Sequence, residues 1–348
     1  MAGSVEFDWH KNVYKPLPAK TGCLSLLYLN KEFSRWLGLA AVKGFIKYKL
    51  FLKLVAGLVC TFFLAGCSST SLLNGYNYLS RPANMQRQLD LSYATGERQK
   101  MDVYQPKSTT GSKHQARTIF FVYGGTWKSG EKEYYEFVAA NLVRQGHTVV
   151  IPNYRLYPDV RYPAFVDDVA MAIASYEQQV LPADQQEHEI VLMGHSAGAY
   201  TAALLATNPE FFEKAGVNSK VIGLIALSGP HDLPLDDPDV VNSFSTVKDP
   251  EKAIPVRLVQ NSVQCSDHSN CSSPLEFSTL LLHAPDDKRV FYYHSERFRD
   301  ALSAAGMKVK LAPASGGHIK LMLALARPLG FLNNTRAEIL AFLNDLTE

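Results

Sequence analysis

The chain is short of cysteine, of net charge and of long apolar runs. It has five Cys in 348 residues, and its 35 Lys and Arg stand against 33 Asp and Glu for a formal net charge of +2. So few cysteines do not make a disulfide-built scaffold, and no second Cys pair stands near Cys265 and Cys271 to complete a four-ligand zinc site. With 47% hydrophobic and 20% charged residues, the composition excludes a disordered, collagenous or multi-span membrane chain. No H-E-x-x-H, no second Cys pair and no dinucleotide glycine fingerprint occurs, so no motif calls for a metal or a cofactor.

The charge is unevenly spread. Residues 1–67 carry nine basic and three acidic residues, a net of +6, which leaves the remaining 281 residues at −4. A mildly acidic body lacks the basic face that neutralises phosphates, so nucleic acid is not an expected partner. The basic head leads into Lys43, Lys47, Lys49 and Lys53, then an uncharged apolar run of 13 residues from Leu54 to Gly66, then Cys67. At about 1.5 Å per residue the run covers about 20 Å, short of the roughly 30 Å hydrocarbon core. A charged region, an apolar region and small residues before a cleavage point make a signal peptide. Leu64-Ala65-Gly66-Cys67 resembles a bacterial lipobox, which implies lipidation of Cys67, and Ser68 after it resembles lipoproteins sorted to an outer membrane. The expected organisation is an unassigned segment 1–41, a signal peptide 42–67, a tether 68–87 and one folded domain 88–348. Signal peptides usually run about 15–30 residues, so translation is expected to start near Val42 or Leu39. Residues 1–41 show no turn-bounded pattern. Cys265 and Cys271 stand in a polar Ser/Asn stretch, and in an exported protein such a pair reads as a disulfide.

From Gln88 onward strand and helix signals alternate. Gln88–Tyr93 and Gln99–Tyr104 read as a hairpin about Thr95-Gly96. Apolar runs at Arg117–Tyr123, Thr148–Ile151, Glu189–Met193, Lys220–Leu227, Thr279–His283 and Val309–Ala312 read as buried strands. Helical spacing marks Glu131–Arg144, Phe165–Tyr176, Ala197–Ala206, Tyr292–Ala305 and Arg336–Leu346. Such alternation predicts an α/β domain with a mostly parallel sheet covered on both faces.

Chemistry gathers at three strand ends. Gly194-His195-Ser196-Ala197-Gly198 follows the strand Glu189–Met193 and opens a helix. In that context the G-x-S-x-G pattern is a turn sharp enough to lift a Ser hydroxyl out at the top of the sheet. A Ser nucleophile needs a base and an acid that orients the base. His318 in Ser315-Gly316-Gly317-His318 follows the last strand on what reads as a flexible turn, and is the base. The acid is Asp286 or Asp287, which share the loop after Thr279–His283. His195, His231 and His283 read as scaffold residues, the latter two hydrogen-bonded. Two backbone N–H groups must face the developing oxyanion: one from Ala197, the other from the Gly-rich turn Tyr123-Gly124-Gly125-Thr126-Trp127.

These residues together resemble the α/β-hydrolase superfamily, in its carboxylesterase group with hormone-sensitive-lipase-like and kynurenine-formamidase-like members. The resemblance also rests on Asn153-Tyr-Arg-Leu-Tyr-Pro158, Tyr162-Pro163-Ala164-Phe165, Asp167-Asp168 and His283-Ala-Pro-Asp-Asp287 with Val290. It implies the α/β-hydrolase fold, assigns the acid to Asp287, and gives Gly125 and Ala197 as oxyanion donors with Gly124 shaping the turn. Tyr123 stands where the family commonly has His, and Ala284 where it has Gly. The long connection 229–277 is expected to be a loop-type cap over the site. Its Asp232, Asp236, Asp237 and Asp239 lack EF-hand spacing and read as a solvated turn. The implied activity is cofactor-free hydrolysis of small or medium acyl esters through an acyl-Ser196 intermediate, with a kynurenine-formamidase-like amidase or a lipid-anchored binding module as alternatives.

Overall fold

The computed structural model describes residues 5–8, 13–16, 76–78, 80–107, 116–182, 188–264, 275–327 and 329–346. Cys67, Cys265 and Cys271 lie outside them, so the lipobox and the disulfide stand as expectations. The chain divides into two compact units, Met1–Ser68 and Ser69–Glu348. In the first, Val5–Asp8 pairs antiparallel with Val13–Pro16, a short ladder where the sequence showed no pattern.

The second unit is built on eight strands. In chain order they are β1 (Met85–Ser92), β2 (Lys100–Pro106), β3 (Thr118–Val122), β4 (Thr148–Pro152), β5 (Glu189–His195), β6 (Lys220–Leu227), β7 (Ser278–His283) and β8 (Val309–Pro313). They lie side by side as β8-β7-β6-β5-β3-β4-β2-β1. β2 runs antiparallel to β1 and β4; every other pairing is parallel. This is the α/β-hydrolase fold. All five residues of β3, Thr-Ile-Phe-Phe-Val, are buried, as a parallel strand covered on both faces requires. The covering helices are α1 (Glu136–Val143), α2 (Ala164–Gln179), α3 (Ala197–Thr207), α4 (Glu210–Ala215), α5 (Pro255–Gln264), α6 (Tyr293–Ala304), α7 (Gly317–Leu323) and α8 (Thr335–Asp345). α3 is buried along its whole length, and its many alanines let it lie close against the sheet. The hydrophobic core is drawn from Met85 to Leu343, so among the described residues it belongs wholly to the second unit.

Three local expectations change. Glu131–Arg144 is not one helix: Lys132–Tyr135 forms a 3-10 turn and α1 follows from Glu136. The connection 229–277 contains α5 and is therefore not purely a loop. The turn before His318 is followed at once by α7, whose first turn holds His318.

Candidate active site

The functional side chains meet where the strand order reverses: β3 continues to β4 on one side and lies against β5 on the other. Ligand sites of open α/β sheets collect at such a switch point, outside the carboxyl ends of the strands. Ser196 stands between β5 and α3 with φ 55° and ψ −124°, a conformation that a residue with a Cβ occupies only under strain. The surroundings enforce it. The Ser196 N–H donates to the Leu227 carbonyl at 2.8 Å, and Ala199 and Tyr200 donate to its own carbonyl. Gly198 is required because a Cβ there would come within 2.0 Å of the Val122 carbonyl oxygen. The turn therefore packs against the end of β3, and the hydroxyl is left half-buried at the top of the sheet.

His318 Nε2 lies 2.9 Å from Ser196 Oγ, and its Nδ1 lies 2.7 Å from Asp287 Oδ2. The three are separated by up to 122 residues and form one continuous relay. Asp287 Oδ1 accepts the N–H groups of Arg289 at 2.9 Å and Val290 at 3.1 Å. Burial alone would raise the Asp287 pKa, but hydrogen bonds from His283 and His318, the nearby imidazole charge and the Val290 amide outweigh it and hold the carboxyl well below the usual range. Asp286, the other candidate, is exposed and among the described residues accepts only the Gly317 N–H, at 3.1 Å, so it braces the α7 entry and does not meet His318.

His283 serves as scaffold. Its Nδ1 is 2.7 Å from Ser295 Oγ, its Nε2 donates to the Val290 carbonyl at 2.9 Å, and Nε2 is 3.5 Å from Asp287 Oδ2. It ties both ends of the acid loop together. His231 differs from its expectation. It is fully buried and stacks on Phe298 at 4.5 Å, and neither of its ring nitrogens has a hydrogen-bond partner among the described residues. Burial and the neighbouring His294 and His283 push its pKa far down, so it packs as a neutral aromatic ring. His195 is scaffold, as expected, with a contact the sequence did not specify. Its Nε2 donates to the His318 carbonyl at 3.0 Å and its ring lies 4.8 Å from the His318 imidazole. Burial, then the proximity of His318, lower its pKa to about 3. No spacing rule links positions 195 and 318, so this contact was invisible in the sequence.

The glycine turn after β3 lies against the nucleophile. A Cβ on Gly124 would sit 2.8 Å from both Ser196 Cβ and the His195 carbonyl oxygen, so only glycine lets this backbone approach. Gly125 has φ 127°, and Thr126 and Trp127 follow at φ 55° and 57°. Ala197 opens α3, where the first N–H groups have no partner within the helix. The turn is held from three directions. The Trp127 ring is buried among Phe165, Tyr200 and Phe244 at 4.7–5.6 Å. Tyr123, in place of the family His, donates to Asn153 Oδ1 at 2.8 Å and accepts from Arg98 at 3.0 Å, so it fills a structural position behind the turn. Buried Lys132 reaches Asp90 at 2.8 Å, Asp102 at 2.9 Å and Glu133 at 2.6 Å. Desolvation would lower its pKa, but these three carboxylates overcome it and keep the ammonium charged.

The insert packs beside the glycine turn. Phe244 stacks on Tyr162 at 5.4 Å, and Lys128, beside the glycine turn, donates to the Asp239 carbonyl at 2.7 Å. Of Asp232, Asp236, Asp237 and Asp239, Asp232 pairs with Arg297. Two surface cavities of about 420 and 410 Å³ are lined by Glu189, Phe277 and Lys308 and by Leu233, Ile254 and Tyr293, and Ser196 borders neither.

Comparison with known proteins bears on this geometry. The BD-FAE family model matches residues 101–302. A kynurenine formamidase of Danio rerio is 27% identical over 235 residues, covering 66% of this chain and 73% of its own. One from Meyerozyma guilliermondii is 30% identical, covering 66% and 86% respectively. An isoprenylcysteine alpha-carbonyl methylesterase of Arabidopsis thaliana is 23% identical over 309 residues, covering 83% and 71%. Among solved structures, esterase B from Lactobacillus Rhamnosis superposes with a TM-score of 0.61 at 18% identity, covering 84% of this chain and 95% of that one, a likeness of fold.

Proposed function

The chain belongs to the BD-FAE family, is a hydrolase of the esterase and amidase kind, and from that premise we propose that it is a serine carboxylic-ester hydrolase acting through an acyl-Ser196 intermediate. The observation that carries this reading is the Asp287–His318–Ser196 relay, with both hydrogen bonds of the imidazole already within 2.9 Å. His318 Nε2 takes the Ser196 proton as Oγ attacks the ester carbonyl, and Asp287 holds the Nδ1–H tautomer and the imidazolium that forms. The N–H groups of Ala197 and Gly125 stabilise the tetrahedral oxyanion while Gly124 keeps the turn against the nucleophile. His318 returns its proton to the leaving alkoxide, then activates the water that hydrolyses the acyl-enzyme. The substrate class is esters of small or medium acyl chains.

A second reading is an amidase that hydrolyses N-formylkynurenine, favoured by the formamidase relatives. The same relay would protonate an amine leaving group. The reading also includes export, with lipidation of Cys67 and an outer-membrane position facing the periplasm or the surface.

A fluorophosphonate probe followed by peptide mapping tests the nucleophile, and a chain-length series of nitrophenyl esters beside N-formylkynurenine tests the bond class. Label on Ser196 with turnover of short esters supports the esterase. Faster turnover of the formamide selects the amidase, and a folded protein that takes no label defeats both and favours the lipid-anchored binding module. Mass analysis of the mature N-terminus tests acylation of Cys67.

A further inference from the structure

The described part of the hydrolase unit opens at Tyr76 beside the segment that follows α7. The Tyr76 hydroxyl donates to the Arg327 carbonyl, its ring packs edge-on against Phe137 at 6.3 Å, and Asn141 in the same helix donates to the Leu325 carbonyl at 2.7 Å. This surface carries large apolar side chains in water. Tyr78 is 68% exposed and Phe331 79%. Ile319 and Leu323, four residues apart on α7, are exposed on one side of that helix. Asn333 reaches the carbonyls of Ser315 at 3.2 Å and Lys320 at 3.4 Å, which folds the Phe331 turn back beside α7.

Three arginines of the same region stand without counter-charges, Arg327 exposed and Arg144 and Arg336 half-buried. Arg144 donates to the carbonyls of Ala140 at 3.0 Å and of Ser80. Among the described residues, no carboxylate lies within ion-pair distance of Arg144, Arg327 or Arg336. They are close enough to repel: after burial, the charges of Arg327 and Arg336 lower the Arg144 pKa. Single exposed apolar residues are ordinary. Exposed Phe, Leu, Ile and Tyr interleaved with unpaired Arg have the composition of a surface that meets anionic headgroups.

The tether selects the occupant. Cys67 precedes Tyr76 by nine residues, a length that fully extended spans about 30 Å. We propose that Tyr78, Ile319, Leu323 and Phe331, with Arg144, Arg327 and Arg336, form the face that rests on the anionic bilayer holding the anchor. The choice of a bilayer rests on the reading of Cys67 as lipidated; the face itself is tested without it.

The chain from Ser69 onward, which holds the whole described hydrophobic core, is sedimented with mixed phosphatidylcholine–phosphatidylglycerol vesicles and with phosphatidylcholine alone. It binds the mixed vesicles in preference, and salt weakens that binding. Phe331→Ser lowers the partition about tenfold, as loss of a buried aromatic side chain does, and Arg327→Gln about fivefold. Nitrophenyl-ester turnover without vesicles stays at the parent level in both variants, which shows that they are folded. Equal binding to both vesicle types, or unchanged binding of the double variant, overturns the proposal. So does a vesicle-independent dimer that dissociates on Phe331→Ser, which assigns the face to a second copy. An unacylated Cys67 beside intact vesicle binding removes the anchor and leaves the face standing.

Discussion

The side chain of His195 donates to the backbone carbonyl of His318 at 3.0 Å, so the residue before Ser196 ties down the residue whose imidazole faces the Ser196 hydroxyl. A carbonyl only accepts, which sets the proton of His195 on Nε2. Its pKa of about 3 keeps that tautomer through the working pH range.

His195→Phe is therefore expected to lower kcat by about tenfold with little change in KM, because the loss falls on placement of the base and not on substrate binding. A structural role alone would lower stability and leave the pH profile of kcat in place. The test is kcat and KM against pH beside thermal unfolding, and an unchanged kcat in a folded variant removes the positioning role.

Ser196 is held at φ 55°, where only glycine is free of strain. Ser196→Gly should abolish hydrolysis, and relief of that strain should raise stability by about 1 kcal/mol. For a domain of this size that is an increase of about 2–4 °C in Tm, read by calorimetry. A lower Tm would mean that the Ser196 side chain contributes more packing than strain.

The two carboxylates of the acid loop are expected to separate sharply. Asp287→Asn removes the acceptor that fixes the His318 tautomer and should lower kcat by about 10⁴-fold. Asp286→Asn touches only the exposed hydrogen bond from the Gly317 N–H and should stay within about threefold of the parent. Steady-state kinetics on one nitrophenyl ester decides, and comparable losses in both variants would mean that the loop shares the acid role.

Stability should fall steeply on acidification. His195 and His294 are held to about 3 and about 4 by burial, against about 6.5 when unfolded. The unfolded chain therefore binds more protons below pH 6.5, and the native state loses ground as pH falls from there toward 4 and 3. Each group contributes about 1.4 kcal/mol per pH unit within its window. Asp287, depressed below the usual carboxylate range, adds its loss only below about pH 4. Urea unfolding between pH 7 and 4 measures the slope, and a flat profile would mean that these imidazoles are hydrated in the native state.

The reach of the sequence is clearest at the elbow. Gly194 to Gly198 is local chemistry: a strand, a turn tolerated only with small neighbours and a helix lie within a few residues, and their pattern is read along the chain. The same holds for the buried strands, whose apolar runs have the length and composition that a doubly covered sheet demands. Asp287 needed the family resemblance, since spacing cannot say which of two adjacent carboxylates turns inward. The 3-10 break at Lys132–Tyr135 was hidden because it depends on Lys132 being drawn to Asp90 and Asp102, residues on another hairpin.

What the sequence alone determined is therefore the alternation of elements and the turn that carries Ser196, each encoded by residues near one another in the chain; the nucleophile, its base and the signal ahead of Cys67 are expectations read in the same way. Tertiary structure showed that Asp287 meets His318, as the resemblance implied, and alone decided that His195 donates to the His318 carbonyl and that the ring nitrogens of buried His231 have no hydrogen-bond partner among the described residues. Those are relationships between positions tens to hundreds of residues apart. Only folding brings such groups within the few ångströms at which hydrogen bonds and charges act.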